Sequence, residues 1–182
     1  PTASGPALVP LAQAIYAKRR AIVVGVDAYR APFPRLEGAV SDAKRVAKAF
    51  TALGFDEVIS LYDKDASRGA LLSKLEDELG SRASPHDLVV VYFAGHGFTK
   101  NGQGYLVPSD ASAGAIEDTA LSVQRLKDAA FRVNALHVLY VVDACFSGSL
   151  FQKKPAAART NPLSYWQALG EGRLVQVLAA GK

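Results

Sequence analysis

The stretch Asp87-Leu-Val-Val-Val-Tyr-Phe-Ala94-Gly-His96-Gly97 decides how this chain is read. From Asp87 to Ala94 it is apolar on both faces. That marks a central strand of a parallel sheet, because helices cover both sides of such a sheet. The run ends at an imidazole set between two glycines. A second apolar run, Ala135 to Asp143, leads into Val141-Val-Asp143-Ala-Cys145-Phe-Ser-Gly148 and the only thiol of the chain. Each run delivers one reactive side chain at its carboxyl end.

The flanking sequence supports the same sheet. Arg20 to Val26 and Val58 to Tyr62 read as strands, and Arg173 to Leu178 as a fifth. Residues 11–18 are expected to form a short helix. Between the first two strands, Val40, Ala43, Ala47 and Phe50 recur at helical spacing, and Gly54 suits the stop. Asp65 or Ser67 caps a second helix with Leu71, Leu72, Leu75 and Leu79 inward and Gly80 closing it. Asn101-Gly102 predicts a tight turn within a hairpin over 98–107. Residues 109–118 read as a polar loop, and Leu121 to Arg132 as a third helix. Strands alternate with helices, so the fold class is α/β, a mostly parallel sheet with helices on both faces. Residues 1–19 are expected to be a tail or linker and 20–182 the functional domain.

Composition narrows the function. At 182 residues and 49% hydrophobic, the chain can bury one ordinary core. It has no apolar run of about 18 residues, so no membrane-spanning helix is expected. The net charge is +4, with basic residues scattered and not interleaved with aromatics, which argues against nucleic acid. One cysteine excludes an internal disulfide and suits a reducing compartment, so the cytoplasm is expected. The chain begins Pro1-Thr2 and contains no methionine, so it is expected to come from a longer precursor.

Ligands of open parallel sheets bind beyond the carboxyl ends of the strands. His96, Cys145 and Asp27 all fall at that edge. His86 and His137 start strands at the opposite edge and read as structural. An imidazole beside a thiol takes its proton, and the thiolate attacks a carbonyl to give an acyl-enzyme. Gly97 lets its backbone N–H approach a ligand, and with the Cys145 amide it can hold an oxyanion. Other chemistries fit poorly. A tyrosine-phosphatase loop needs an Arg six residues after the Cys, where this chain has Phe151. No Gly-x-Ser-x-Gly elbow is present. One cysteine and three spread histidines lack metal-ligand spacing. A flavodoxin-like small-ligand domain suits the strand pattern but leaves both motifs unexplained.

These residues resemble the caspase-like cysteine peptidases, and among them the metacaspase and bacterial caspase-homologue branch. The resemblance covers about Arg20 to Gly181. It rests on Ala21-Ile-Val-Val-Gly-Val-Asp27, Leu36-x-Gly-Ala-Val-Ser-Asp42-Ala, Tyr92-Phe-Ala-Gly-His-Gly97, Gly104-Tyr-Leu-Val-Pro-Ser-Asp110 and Asp143-Ala-Cys-Phe-Ser-Gly148. His96 precedes Cys145 by 49 residues, close to the spacing of caspases.

The resemblance implies a caspase-like three-layer sandwich, with Cys145 as nucleophile and His96 as general base. Asp143 replaces the Gln of the caspase motif. In metacaspase-like enzymes an acid there lines the S1 pocket, which implies cleavage of protein or peptide substrates after Arg or Lys. Asp27 is expected as a second wall of that pocket, with a loop-capping carboxylate as its alternative role. Calcium is not expected to be required, because no acid occurs between Asp143 and Glu171. Asp110, Glu117 and Asp118 are the remaining candidates. The last strand and helices of the fold are expected in a C-terminal small-subunit fragment of the same precursor. Processing is expected after Lys182, with Lys153, Lys154 and Arg159 as second candidates. Two further readings stay open: an inactive caspase-like interaction module, and a clan relative with another P1 preference.

Overall fold

A computed structural model describes residues 15–144 and 174–179. Its main sheet has five parallel strands in the order β2-β1-β3-β7-β8. These are β1 (Lys18–Gly25), β2 (Glu57–Tyr62), β3 (Asp87–Ala94), β7 (His137–Asp143) and β8 (Leu174–Ala179). The run that decided the sequence reading is the middle strand, paired on both sides.

Side-chain alternation along the strands builds two cores. Ile22 and Val24 of β1, Val89, Val91 and Phe93 of β3, and Val138, Tyr140 and Val142 of β7 face one way. They pack against Leu71, Leu75, Leu126 and Ala130 of the helices on that side. Ala21, Val23, Tyr92 and Ala94 face the other way, onto Ala39 and Ala43 of α1 (Ala39–Ala52). Gly25 allows α1 to come this close, since a Cβ there would lie 2.6 Å from the Ala43 Cβ.

On the first face, α2 starts under the Ser67 side chain, which accepts from the Ala70 N–H. It runs through Arg68–Ser73, widens to π geometry at Lys74–Glu78 and ends with Leu79–Arg82. The helix therefore passes Gly80, the expected stop; glycine inside a helix costs only about 1 kcal/mol. The turn that follows is closed by Asp87, which accepts from Ser84 N–H and Oγ at 3.0 and 2.7 Å.

A small antiparallel sheet rises beyond β3: β4 (Gly97–Lys100), β5 (Gln103–Leu106) and β6 (Leu121–Ser122). Asn101 and Gly102 turn the hairpin with φ of 53° and 72°. The segment read as a polar loop holds a 3-10 turn, Ala113–Ala115, and α3 (Ile116–Thr119), anchored by the buried Ile116. Leu121 and Ser122 pair with β5 and do not open the third helix. That helix, α4 (Val123–Arg132), starts two residues later than expected, where Ser122 Oγ accepts from the Arg125 N–H. At the N-terminus, Lys18 pairs with Asp87 and belongs to β1, so the helix expected over 11–18 does not reach its end.

Candidate active site

The carboxyl ends of β1, β3 and β7 lie side by side, with Gly25 opposite Ala94 and Ala94 opposite Asp143. His96 follows its paired residue by two positions, and Cys145 follows Asp143 by two. Cys145 lies outside the described residues, as do Lys153, Lys154, Arg159 and Lys182. The Gly95 N–H donates to the Asp143 carbonyl at 3.2 Å and ties the two strand ends together.

The loop after β1 grips His96. Its ends close on each other through the Leu36 N–H and the Asp27 carbonyl, 2.9 Å apart. Asp63 steadies its start, accepting from the Asp27 and Ala28 amides at 2.8 Å each. The Pro34 carbonyl lies 2.8 Å from His96 Nε2. A carbonyl only accepts, so Nε2 carries the proton and Nδ1 is the acceptor nitrogen of the neutral ring. The Tyr29 hydroxyl accepts from the His96 main-chain N–H at 2.8 Å, and its ring lies 4.6 Å from the imidazole. Burial, with the Asp27 and Asp63 carboxylates nearby, raises the Tyr29 pKa; the His96 amide partly offsets this. Tyr29 and Phe33 also pack on the cluster of Tyr105, Val107 and Ile116, which braces the loop against the small sheet.

Gly97 opens β4 opposite Leu106. The Val107 N–H donates to the His96 carbonyl at 3.0 Å. Gly97 and Leu106 are thereby a pair without mutual hydrogen bonds, and the Gly97 amide turns away from β5.

Beside His96 lies an open cavity of 400 Å³ whose walls include Gly38, Asp42, Gly95, His96 and Asp143. Glu37 stands on the same wall, so three carboxylates border it. The buried Tyr92 hydroxyl lies 3.5 Å from Asp143 Oδ2. Burial, then the Asp143 and Asp42 carboxylates, push this phenol up to about 12, so it stays a donor. A larger groove of 670 Å³ lies between α2 and α4, where Arg125 pairs with Glu76 at 3.0 Å. It contains neither motif.

The structure brings His96 and Asp143 onto one cavity and places Asp27 elsewhere. Asp27 is buried, and its two oxygens accept from the Ala39 and Val40 amides at 2.9 and 3.3 Å. It holds the first turn of α1, where four N–H groups lack helical partners. Asp27 is not among the cavity residues; Asp42, one turn into α1, is. His137 accepts or donates at the opposite edge, its Nδ1 2.6 Å from the Tyr16 hydroxyl. Asp110 accepts from the Arg68 amide at 2.8 Å and Glu117 pairs with Lys100 at 2.9 Å. Among the described residues no three acidic, His or Cys side chains converge as a metal site. No helix among them is long and apolar enough to cross a membrane.

Sequence reasoning passed over Tyr29 and Pro34, and quoted Tyr92 and Asp42 without a role. For Asp42 a signal existed: it precedes the core-facing Ala43 in the first turn of the helix. The Pro34 group is a backbone carbonyl and has no side-chain signal at all.

Residues 18–168 match the sequence profile of the caspase domain, Peptidase_C14. The chain belongs to the caspase-domain family. A crystal structure of protein GSU0716 from Geobacter sulfurreducens shares the fold, with a TM-score of 0.60 at 19% identity. The match covers 72% of this chain and 52% of that one, so this chain spans about half the length of that protein. No curated protein matches. The caspase-like α/β sandwich expected from the motifs is the fold observed.

Proposed function

We propose that this protein is a cysteine endopeptidase that cleaves after Arg or Lys. One observation carries the reading: three carboxylates, Glu37, Asp42 and Asp143, border the cavity that His96 shares. A guanidinium or ammonium entering there meets charge-assisted acceptors, while an acidic P1 side chain is repelled.

In this reading His96 Nδ1 takes the Cys145 proton, and the sulfur attacks the scissile carbonyl. The tetrahedral oxyanion is held by the Gly97 and Cys145 amides. As the C–N bond breaks, the amine leaves with the proton from His96. Water, deprotonated by the same imidazole, then hydrolyses the thioester and frees Cys145. The Pro34 carbonyl fixes the tautomer that makes Nδ1 the base. Calcium is not needed in this scheme. Self-cleavage after Lys182, or after Lys153, Lys154 or Arg159, with the C-terminal fragment staying associated, belongs to the same reading.

A panel of peptides with Arg, Lys or Asp at P1 tests it, with Cys145→Ala as control. Cleavage after Arg and Lys that disappears in the control is expected, with or without chelator. Cleavage after Asp alone overturns the pocket assignment, and no cleavage with an unreactive Cys145 overturns the enzyme reading. Intact-mass comparison of wild type and Cys145→Ala tests self-processing, which fails if both are cut alike.

A further inference from the structure

The acidic cavity already has a cation at its edge. Arg45, one turn along α1 from Asp42, donates through Nη2 to Asp42 Oδ1. Arg45 does not line the cavity, whereas Asp42 does. The remaining oxygen, Oδ2, lies 3.9 Å from where a Gly38 Cβ would sit, and Gly38 is a cavity wall. Asp42 is thus shared: it lines the cavity, and one of its oxygens is held by a guanidinium that does not. The side chain of Arg45 is 77% exposed against 35% for Asp42, so the arginine has solvent to swing into while the carboxylate stays at the cavity wall.

We infer that Arg45 is a specificity-determining residue that attenuates the pocket, an internal cation competing with the substrate's basic P1 side chain for Asp42. The inference rests on the endopeptidase reading above and adds a control to it. With Arg45 in place, an incoming cation meets two carboxylates of the cavity wall, Glu37 and Asp143, and one, Asp42, that is shared with Arg45. Without Arg45, all three face it alone. The charges share one neighbourhood: beyond the effect of its burial, Tyr92 is pushed up by Asp143 and Asp42 and pulled down by Arg45. An exposed ion pair has a modest strength, so the attenuation is modest too, about two- to fivefold in apparent affinity. It tunes the pocket without closing it.

The test compares wild type, Arg45→Ala and Arg45→Gln of the intact protein on peptides with Arg or Lys at P1. Both variants are expected to lower KM about two- to fivefold with kcat nearly constant. Benzamidine, a small arginine-like cation, is expected to inhibit them more strongly by a similar factor. The difference is expected to shrink in about 1 M salt, where the screening length falls to about 3 Å. The glutamine variant keeps the aliphatic stem, so a common effect of both variants reads the charge and not the packing. An unchanged or raised KM in both variants, with wild type active on basic peptides, overturns the role of Arg45 and leaves the endopeptidase reading intact. A wild type that does not cleave after Arg or Lys overturns the reading itself, and the inference with it.

Discussion

The Tyr29 hydroxyl accepts a hydrogen bond from the main-chain N–H of His96 at 2.8 Å. A loop that follows β1 therefore sets the position of a residue that follows β3. The same loop supplies the Pro34 carbonyl to the other end of His96, so backbone and ring are held by one segment. Tyr29→Phe removes the acceptor and keeps the ring. Leaving that amide unpaired costs about 1–3 kcal/mol where water cannot replace the bond. The expected result is a kcat reduced about tenfold with KM little changed, measured by steady-state kinetics.

Gly95 lies directly under this contact. A Cβ there would run into the Tyr29 oxygen and lie 3.1 Å from the Phe93 ring. Gly95→Ala must push Tyr29 away from His96 or displace β3. Overpacking of this kind costs about 1–3 kcal/mol. Thermal melting is expected to show a moderate loss of stability, and the loss of kcat is expected to exceed that of Tyr29→Phe, because the ring moves as well as the acceptor.

Asp27 gives a different signature. Its carboxylate is buried on two amides of α1. Asp27→Ala strands both donors and is expected to cost about 1–3 kcal/mol in denaturant unfolding at constant m-value. A pocket wall would instead change KM for basic peptides and leave stability alone. Asp27→Asn separates the two roles further, because an amide side chain keeps one acceptor for α1 while removing the charge.

The contrast between Asp27 and Asp143 shows what the sequence made legible. Strands β1, β3 and β7 were legible because apolar runs of this length between turn signals have few other uses. The motifs at their ends placed His96 and Asp143 on one edge, and the structure agrees. Asp27 sits on the same edge and looked equivalent. Its role depends on where the N-terminus of α1 returns, which is a tertiary fact twelve residues away in the chain. The Leu121–Ser122 strand was hidden for a related reason: two residues have no periodicity, and only pairing with β5 defines them. The grip on His96 by Pro34 joins the imidazole to a main-chain carbonyl 62 residues away, which no residue type announces.

Asp42 and Asp143, with Glu37 beside them, carry the expected preference for basic residues. Each is expected to lend about 1.5–3 kcal/mol of charge-assisted hydrogen bonding to a bound guanidinium. Asp143→Asn and Asp42→Asn should therefore each lower kcat/KM for Arg at P1 by roughly ten- to hundredfold. The Asp42 effect is expected to be the smaller, because Arg45 already neutralises that carboxylate. Equal effects at the two positions would mean that both acids face the substrate unshielded.

Alkaline stability should follow the buried phenols. Tyr92 is pushed up to about 12, first by burial and then by Asp143, and burial also raises Tyr29 and Tyr140. Unfolded tyrosine ionises near pH 10. Between pH 10 and 12 the unfolded chain releases protons that the folded chain retains. By linkage the stability from these groups is complete below pH 10 and is lost as pH rises through the folded values. Each phenol contributes a slope of about 1.4 kcal/mol per pH unit in that window. The chain is expected to unfold cooperatively above pH 10, with phenolate absorbance rising together with loss of secondary structure. Tyr140→Phe should reduce the slope by one proton. It also frees the Leu126 carbonyl, to which the Tyr140 hydroxyl donates at 3.0 Å, so stability near pH 7 should fall while the alkaline limb flattens.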